Sequence, residues 1–120
     1  MACATVLALA ASQSHAEDRS TNLRVLSPKL STGQVKRLME QYKNELGVTC
    51  AYCHTQDRDT QKIDFASEQN PMKEKTRLMI SMTEEINVKF LSQIGERRYA
   101  EPFSCAGCHQ GKAKPQEPGS

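Results

Sequence analysis

The string Cys50-Ala51-Tyr52-Cys53-His54 occurs a second time as Cys105-Ala106-Gly107-Cys108-His109, with 51 residues between Cys53 and Cys105. The two strings take four of the chain's five cysteines and two of its three histidines. Cys3 and His15, the remainder, lie within the first sixteen residues. In Cys-x-x-Cys-His the thiols add to haem vinyl groups as thioethers. The two-residue spacer lets one short helical turn present both sulfurs to one porphyrin edge. The adjacent histidine then reaches the iron from the proximal side. Cys50, Cys53 and His54 are thus expected to hold one haem, and Cys105, Cys108 and His109 another: two covalently bound haem c groups.

Three plainer readings compete. A structural zinc site would bring its cysteine pairs much closer in sequence than these. A dithiol redox motif would sit in a strand–helix–strand pattern, which the chain lacks. Disulfide pairing in an exported chain is the third. The doubled motif favours haem over all of them.

Composition agrees. Of the 120 residues 38% are hydrophobic, with no Trp, three Phe and three Tyr. A chain this small buries a modest fraction of its surface, so its own core is marginal. Two large apolar haems supply the missing volume. Sixteen basic and fourteen acidic side chains give a net charge of +2. That balance argues against a nucleic-acid partner.

Val6 to Ala11 is a short apolar run, and Ser14-His15-Ala16 places small residues where a signal peptidase reads. Residues 1–16 are expected to be a signal peptide, truncated in its basic region and cleaved before Glu17. The mature protein is then periplasmic, outside the cytoplasm, where haem is attached to this motif. Lipidation at Cys3 is set aside because no apolar stretch precedes it. The run is too short to span a bilayer, and no other segment is expected to cross one.

Residues 17–30 read as an extended lead-in broken at Pro28. Ser31 or Thr32 caps a helix in which Val35, Leu38, Met39, Tyr42 and Leu46 recur at helical spacing, and Gly47 stops it. Residues 56–69 are polar and turn-rich, a surface loop. Asn70-Pro71 opens a second helix. It runs uninterrupted to Ile94, with Met72, Met79, Met82, Ile86 and Phe90 along one side and Gly95 as its end. Residues 31–111 form the dihaem domain, and 112–120 a disordered tail. The expected fold is all-α: a small haem-organised domain of two helix-then-Cys-x-x-Cys-His units with little other regular structure, an internal repeat.

With His15 cleaved, a sixth iron ligand falls to methionine, whose soft thioether binds haem iron. A methionine at helical spacing ordinarily packs a core. Two haems and no spare histidine shift Met39, on the apolar stripe of its helix, to a ligand role. On the second helix Met72, Met79 and Met82 are all candidates, and helical geometry alone does not choose among them.

Leu46-Gly47-Val48-Thr49 before the first motif, Leu78-Met79-Ile80-Ser81-Met82-Thr83-Glu84-Glu85-Ile86-Asn87, and Cys105-x-x-Cys108-His109-Gln110-Gly111 together resemble the cytochrome c subunit of photosynthetic reaction centres. The resemblance covers about residues 22–111. It implies a repeated helix-then-haem unit, and a ligand methionine on the helix ahead of most haem motifs. By position these are Met39 and Met79, with Met82 the runner-up packed beside the porphyrin. The family usually binds four haems as two pairs. This chain has half that number, no long extra domain and no evident lipid anchor, so it is read as a free-standing relative.

The expected function is single-electron transfer between a redox donor and an acceptor, either of which can be a membrane-bound complex. No catalytic residue is assigned, since spacing places no Asp, Glu or Arg as a distal acid–base group. One alternative is a peroxidase-like enzyme or gas sensor, if one haem lacks its sixth ligand. Another is a subunit of a larger multihaem complex. Intact mass under denaturing conditions should correspond to the chain from Glu17 plus two haems; a mass lacking either haem contradicts the doubled-motif reading.

Overall fold

The computed structural model describes residues 20–95, 101–117 and 119. The signal-peptide reading of residues 1–16 lies outside them. Among the described residues four α-helical segments and one small strand pair follow in the order α1 (Thr32–Leu46), α2 (Cys50–Cys53), β1 (Thr55–Gln56), β2 (Ile63–Asp64), α3 (Pro71–Glu85) and α4 (Ala106–His109).

Helix α1 begins where its caps dictate. Ser31 Oγ accepts from the Gln34 N–H at 3.3 Å, and Gln34 Oε1 accepts from the Ser31 N–H at 2.8 Å. This reciprocal box satisfies two otherwise orphaned donors and stabilises the helix by about 1 kcal/mol. At the other end Gly47 adopts φ 61°, and Val48 N–H returns to the Lys43 carbonyl at 3.1 Å. Only glycine takes that φ without strain. The same glycine has a second duty: a Cβ there would run into the Gly111 carbonyl. Gly111 N–H in turn donates to the Glu45 carbonyl at 2.9 Å. The end of α1 is therefore closed against the end of the second motif.

Between the first motif and α3, the expected plain loop contains an antiparallel pair with Thr55 opposite Asp64 and Gln56 opposite Ile63. Two residues per strand are too few for alternation to show in sequence. Asp57 shapes the turn: its Oδ1 accepts from Thr60 N–H at 2.7 Å and Thr60 Oγ1 at 2.8 Å. These bonds hold its carboxyl below the ordinary value.

Helix α3 starts at Pro71 with Asn70 as N-cap, as expected. The run to Ile94 does not stay α-helical. It changes at Ile86 to a π-helix through Phe90, then to a 3₁₀ turn, Leu91–Gln93. Asn87 Nδ2 donates to the Thr83 carbonyl at 3.1 Å, inserting a side chain beside the helical ladder where the change occurs. Gly95 is not the stop: Ile94 already leaves the helix with φ −86° and ψ 112°.

The packing is crossed. Helix α3 packs against α2, the first motif, while α1 packs against α4, the second. Val35 is the single buried hydrophobic residue among the described residues. Leu78, Met79, Met82, Val88, Phe90 and Ile94 stand exposed. Val35 is joined in burial by a charge, Arg77, at 7% exposure. Arg77 meets Glu68 with both arms, Nη1 to Oε2 at 2.5 Å and Nη2 to Oε1 at 2.8 Å, and reaches Glu74 Oε2 at 2.8 Å. Lys73 adds a 3.2 Å ion pair to Glu68, and its Nζ also donates to the Phe65 and Ser67 carbonyls. The Asn22 amide donates to Glu68 and to the Ala66 carbonyl. One carboxylate thus gathers the lead-in, the loop and α3, through the forked geometry that arginine and carboxylate share.

Arg77 first, then the Asn22 amide, holds the Glu68 carboxyl far below the ordinary value of 4.5, with Lys73 acting in the same direction. A depressed carboxylate stabilises the fold fully above its unfolded value, and that contribution is lost as the pH falls towards its folded value. Glu68→Gln should therefore melt earlier than wild type at neutral pH. The gap should close progressively below about pH 4.5, read from thermal melts across a pH series.

Candidate functional site

Each Cys-x-x-Cys-His string forms one helical turn: Cys50–Cys53 with His54 as its C-cap in the first, and Ala106–His109 with Cys105 as its N-cap in the second. In the first, His54 N–H bonds the Cys50 carbonyl at 3.0 Å; in the second, His109 N–H bonds the Cys105 carbonyl at 2.9 Å. In a helical turn residues three and four apart lie on one side, which is the relation of Cys50 to Cys53 and His54 and of Cys105 to Cys108 and His109. All four cysteines are unpaired. Among the described residues no three His, Cys, Asp or Glu side chains converge as a metal cage, so the four thiols do not form the zinc-type cluster weighed from sequence. Burial first, then the Glu45 carboxylate, pushes the Cys105 thiol up from its ordinary value. A reactive dithiol needs the opposite shift.

The two histidines are oriented differently. His109 Nδ1 lies 2.9 Å from the Lys112 carbonyl. A carbonyl only accepts, so Nδ1 carries the hydrogen and Nε2 keeps its lone pair for a metal. Lys112 N–H also returns to the His109 carbonyl at 2.9 Å. His54 Nδ1 is buried without a hydrogen bond of normal geometry; the Phe65 backbone is near enough to favour the charged ring, but less than burial disfavours it. Its ring is held by Phe65, whose centroid lies 5.1 Å away in an edge contact at 68°. Burial lowers the His54 pKa, and the Lys73 charge adds to the effect. The neutral imidazole, the form that binds metal, is thereby favoured.

Asn70 ties the first motif to α3. Its Oδ1 accepts from Met72 N–H at 3.0 Å, while its Nδ2 faces the Tyr52 carbonyl at 3.2 Å and those of Ala51 and His54 at 3.4 Å. Cys53 Sγ lies 3.4 Å from Thr76 Oγ1 on the same helix. In the second motif Gly107 lies under the Phe103 ring, which any Cβ there would strike. On α1, burial pushes the Tyr42 phenol up from its ordinary value, with Cys105, Glu45 and Glu84 acting in the same direction.

Of the methionines, Met39 and Met72 are half-buried on α1 and α3. Met79 and Met82 are 42% and 44% exposed, so exposure does not separate them. The spacing argument had no means of finding Phe65, Asn70, Arg77 or Phe103 as supporting residues. Phe65 is a lone aromatic in a polar loop, and the only advance sign of Arg77 is Glu74 three positions before it.

A haem fits these residues. The thiols are free, a histidine ring nitrogen is available at each turn, and Leu78, Met79 and Met82 lie uncovered on α3. The arrangement is a scaffold for covalently attached haem. The chain matches the photosynthetic reaction centre cytochrome C subunit family over residues 2–118, and it belongs to that family. It is 31% identical over 91 residues to cytochrome c-554 of Chloroflexus aurantiacus, an overlap of 75% of this chain and 20% of that protein. The chain thus spans about a fifth of that relative's length. No solved structure matches it. Family membership implies covalently bound haem c. Among the described residues no helix is long and apolar enough to cross a membrane.

Cys→Ala at all four motif cysteines should abolish most cooperative melting, because the described residues bury only one hydrophobic side chain. Calorimetry checks this: a sharp transition in the haem-free variant would show that the protein supplies its own core.

Proposed function

We propose that this protein is a periplasmic single-electron carrier with two haem c groups. The first is held by Cys50, Cys53 and His54 with Met39 as distal ligand, and the second by Cys105, Cys108 and His109 with Met79. Haem iron, when bound, supplies the one-electron couple. The chain's residues attach it, orient the axial histidines and limit water at the iron. His–Met ligation tends to raise the potential. The partners are a redox donor and an acceptor met over a small, short-lived interface.

The crossed packing carries the reading. Helices in direct contact leave no room for a porphyrin between them. Helix α3 lies on the first motif, and α1 on the second. The distal side of each haem is then served by the helix that precedes its own motif: Met39 on α1 for His54, and Met79 on α3 for His109. Between Met79 and Met82 the family resemblance favours the first.

Spectra and potentials of the holoprotein test the assignment. Met79→Ala should leave one haem five-coordinate, lower its potential and open it to carbon monoxide. Met82→Ala should keep the spectrum and cost roughly 2 kcal/mol of stability, near the low end for methionine truncation. The reverse pattern moves the ligand to Met82, and rapid peroxide turnover by wild type replaces the carrier with an enzyme.

A further inference from the structure

We infer that Asn87 is a positioning residue for the second haem: its amide fastens the helix that carries Met79 to the backbone that enters the second motif, and so keeps Met79 and His109 on one iron. The inference rests on the proposed His109–Met79 ligation and concerns how that pair is held.

Asn87 Nδ2 donates to the Phe103 carbonyl at 2.7 Å, and Phe103 N–H donates to Asn87 Oδ1 at 2.8 Å. Both partners are backbone groups of fixed role, so the amide has only one orientation that satisfies them. The pair closes a span of sixteen residues with two parallel bonds. Towards Met79 the connection continues: Nδ2 also donates to the Thr83 carbonyl at 3.1 Å, and Thr83 Oγ1 donates to the Met79 carbonyl at 2.8 Å. Towards His109 it continues through Phe103, whose ring covers Gly107, and through the helical turn in which His109 N–H bonds the Cys105 carbonyl. The chain changes from α-helix to π-helix at Ile86–Phe90, the segment that contains Asn87. Single π-helical turns of this kind re-aim side chains and recur at functional positions.

No other residue reproduces the contact. Asp offers two acceptors and repels the Phe103 carbonyl. Gln adds a methylene that moves the amide past its partners, and Ala leaves both backbone groups unpaired. A plain loop staple would also hold Phe103, but its loss would affect melting alone. A positioning role must appear at the iron.

The experiment uses the holoprotein with Asn87→Ala and Asn87→Asp, and with Ser31→Ala, which removes the capping box of α1, as the comparison for lost stability alone. Asn87→Ala should lose about half of the sulfur-to-iron charge-transfer absorbance, one haem of the pair. The reduced protein should then bind carbon monoxide at one haem, and that haem's potential should fall. Asn87→Asp, which keeps the bond from Phe103 N–H, should show a smaller loss in the same direction and serves if the alanine variant does not accumulate. Ser31→Ala should melt earlier and leave both haems unchanged. Full charge-transfer intensity with no carbon monoxide binding in both Asn87 variants, whatever their melting temperatures, overturns the inference while the ligation stands. Absence of the band in wild type, or its full retention in Met79→Ala, removes the ligation itself and the inference with it.

Discussion

Among the described residues Val35 alone is a buried hydrophobic side chain, and the rest of the structure answers to that shortage. A domain with so little apolar interior gains too little from burial to offset the entropy of ordering its chain. Two features compensate. One is the uncovered strip of Leu78, Met79, Met82 and Phe90, which a porphyrin would cover. The other is a set of directed polar contacts that hold segments together where packing does not. Glu68 gathers Asn22, Lys73 and Arg77, Asn70 holds the end of the first motif, and Asn87 holds the approach to the second. Hydrogen bonds of this sort add little net energy each, yet they fix geometry, because an unsatisfied buried partner is costly.

The two motifs, alike in sequence, are supported by unlike means. His109 takes a backbone carbonyl at Nδ1, which fixes its tautomer and strengthens the remaining nitrogen as a donor to metal. His54 is set by burial and by the Phe65 edge, in a surrounding that includes the cations Lys73 and Arg77 and the anion Glu68. The difference follows from position. The second motif ends in a glycine turn whose backbone folds back on the histidine, whereas the first runs straight into the strand pair.

What the sequence made legible was whatever is encoded locally. The Ser31 cap, the Gly47 stop and the Asn70-Pro71 start all act within a few residues, and each stands where the pattern places it. The motif turns were equally legible, because two cysteines and a histidine at that spacing leave few alternatives. The misses are non-local. Gly95 resembled a terminator, but the helix had already changed type under the pull of the Asn87 side chain. Gly47 announced a helix end and not its close approach to Gly111, and nothing in the pattern marked Arg77 as nearly enclosed. Periodicity reports which face of an element is apolar. It is silent on which distant backbone group a polar side chain will find.

Crossed packing makes one unit of what the sequence presents as two. Were each helix packed on its own motif, either half could open independently, and no room would remain there for a cofactor between them. With α1 closed on the second motif through Gly47 and Gly111, and α3 on the first through Asn70 and Thr76, neither half has a complete set of neighbours without the other. Helix α3 reaches the first motif at its start through Asn70, and the π-helical segment after it reaches the backbone ahead of the second through Asn87. The helical span from Pro71 through the π-helix to Phe90 therefore helps to set how the two sites stand relative to each other. A shift in register along that span would be felt at both motifs together.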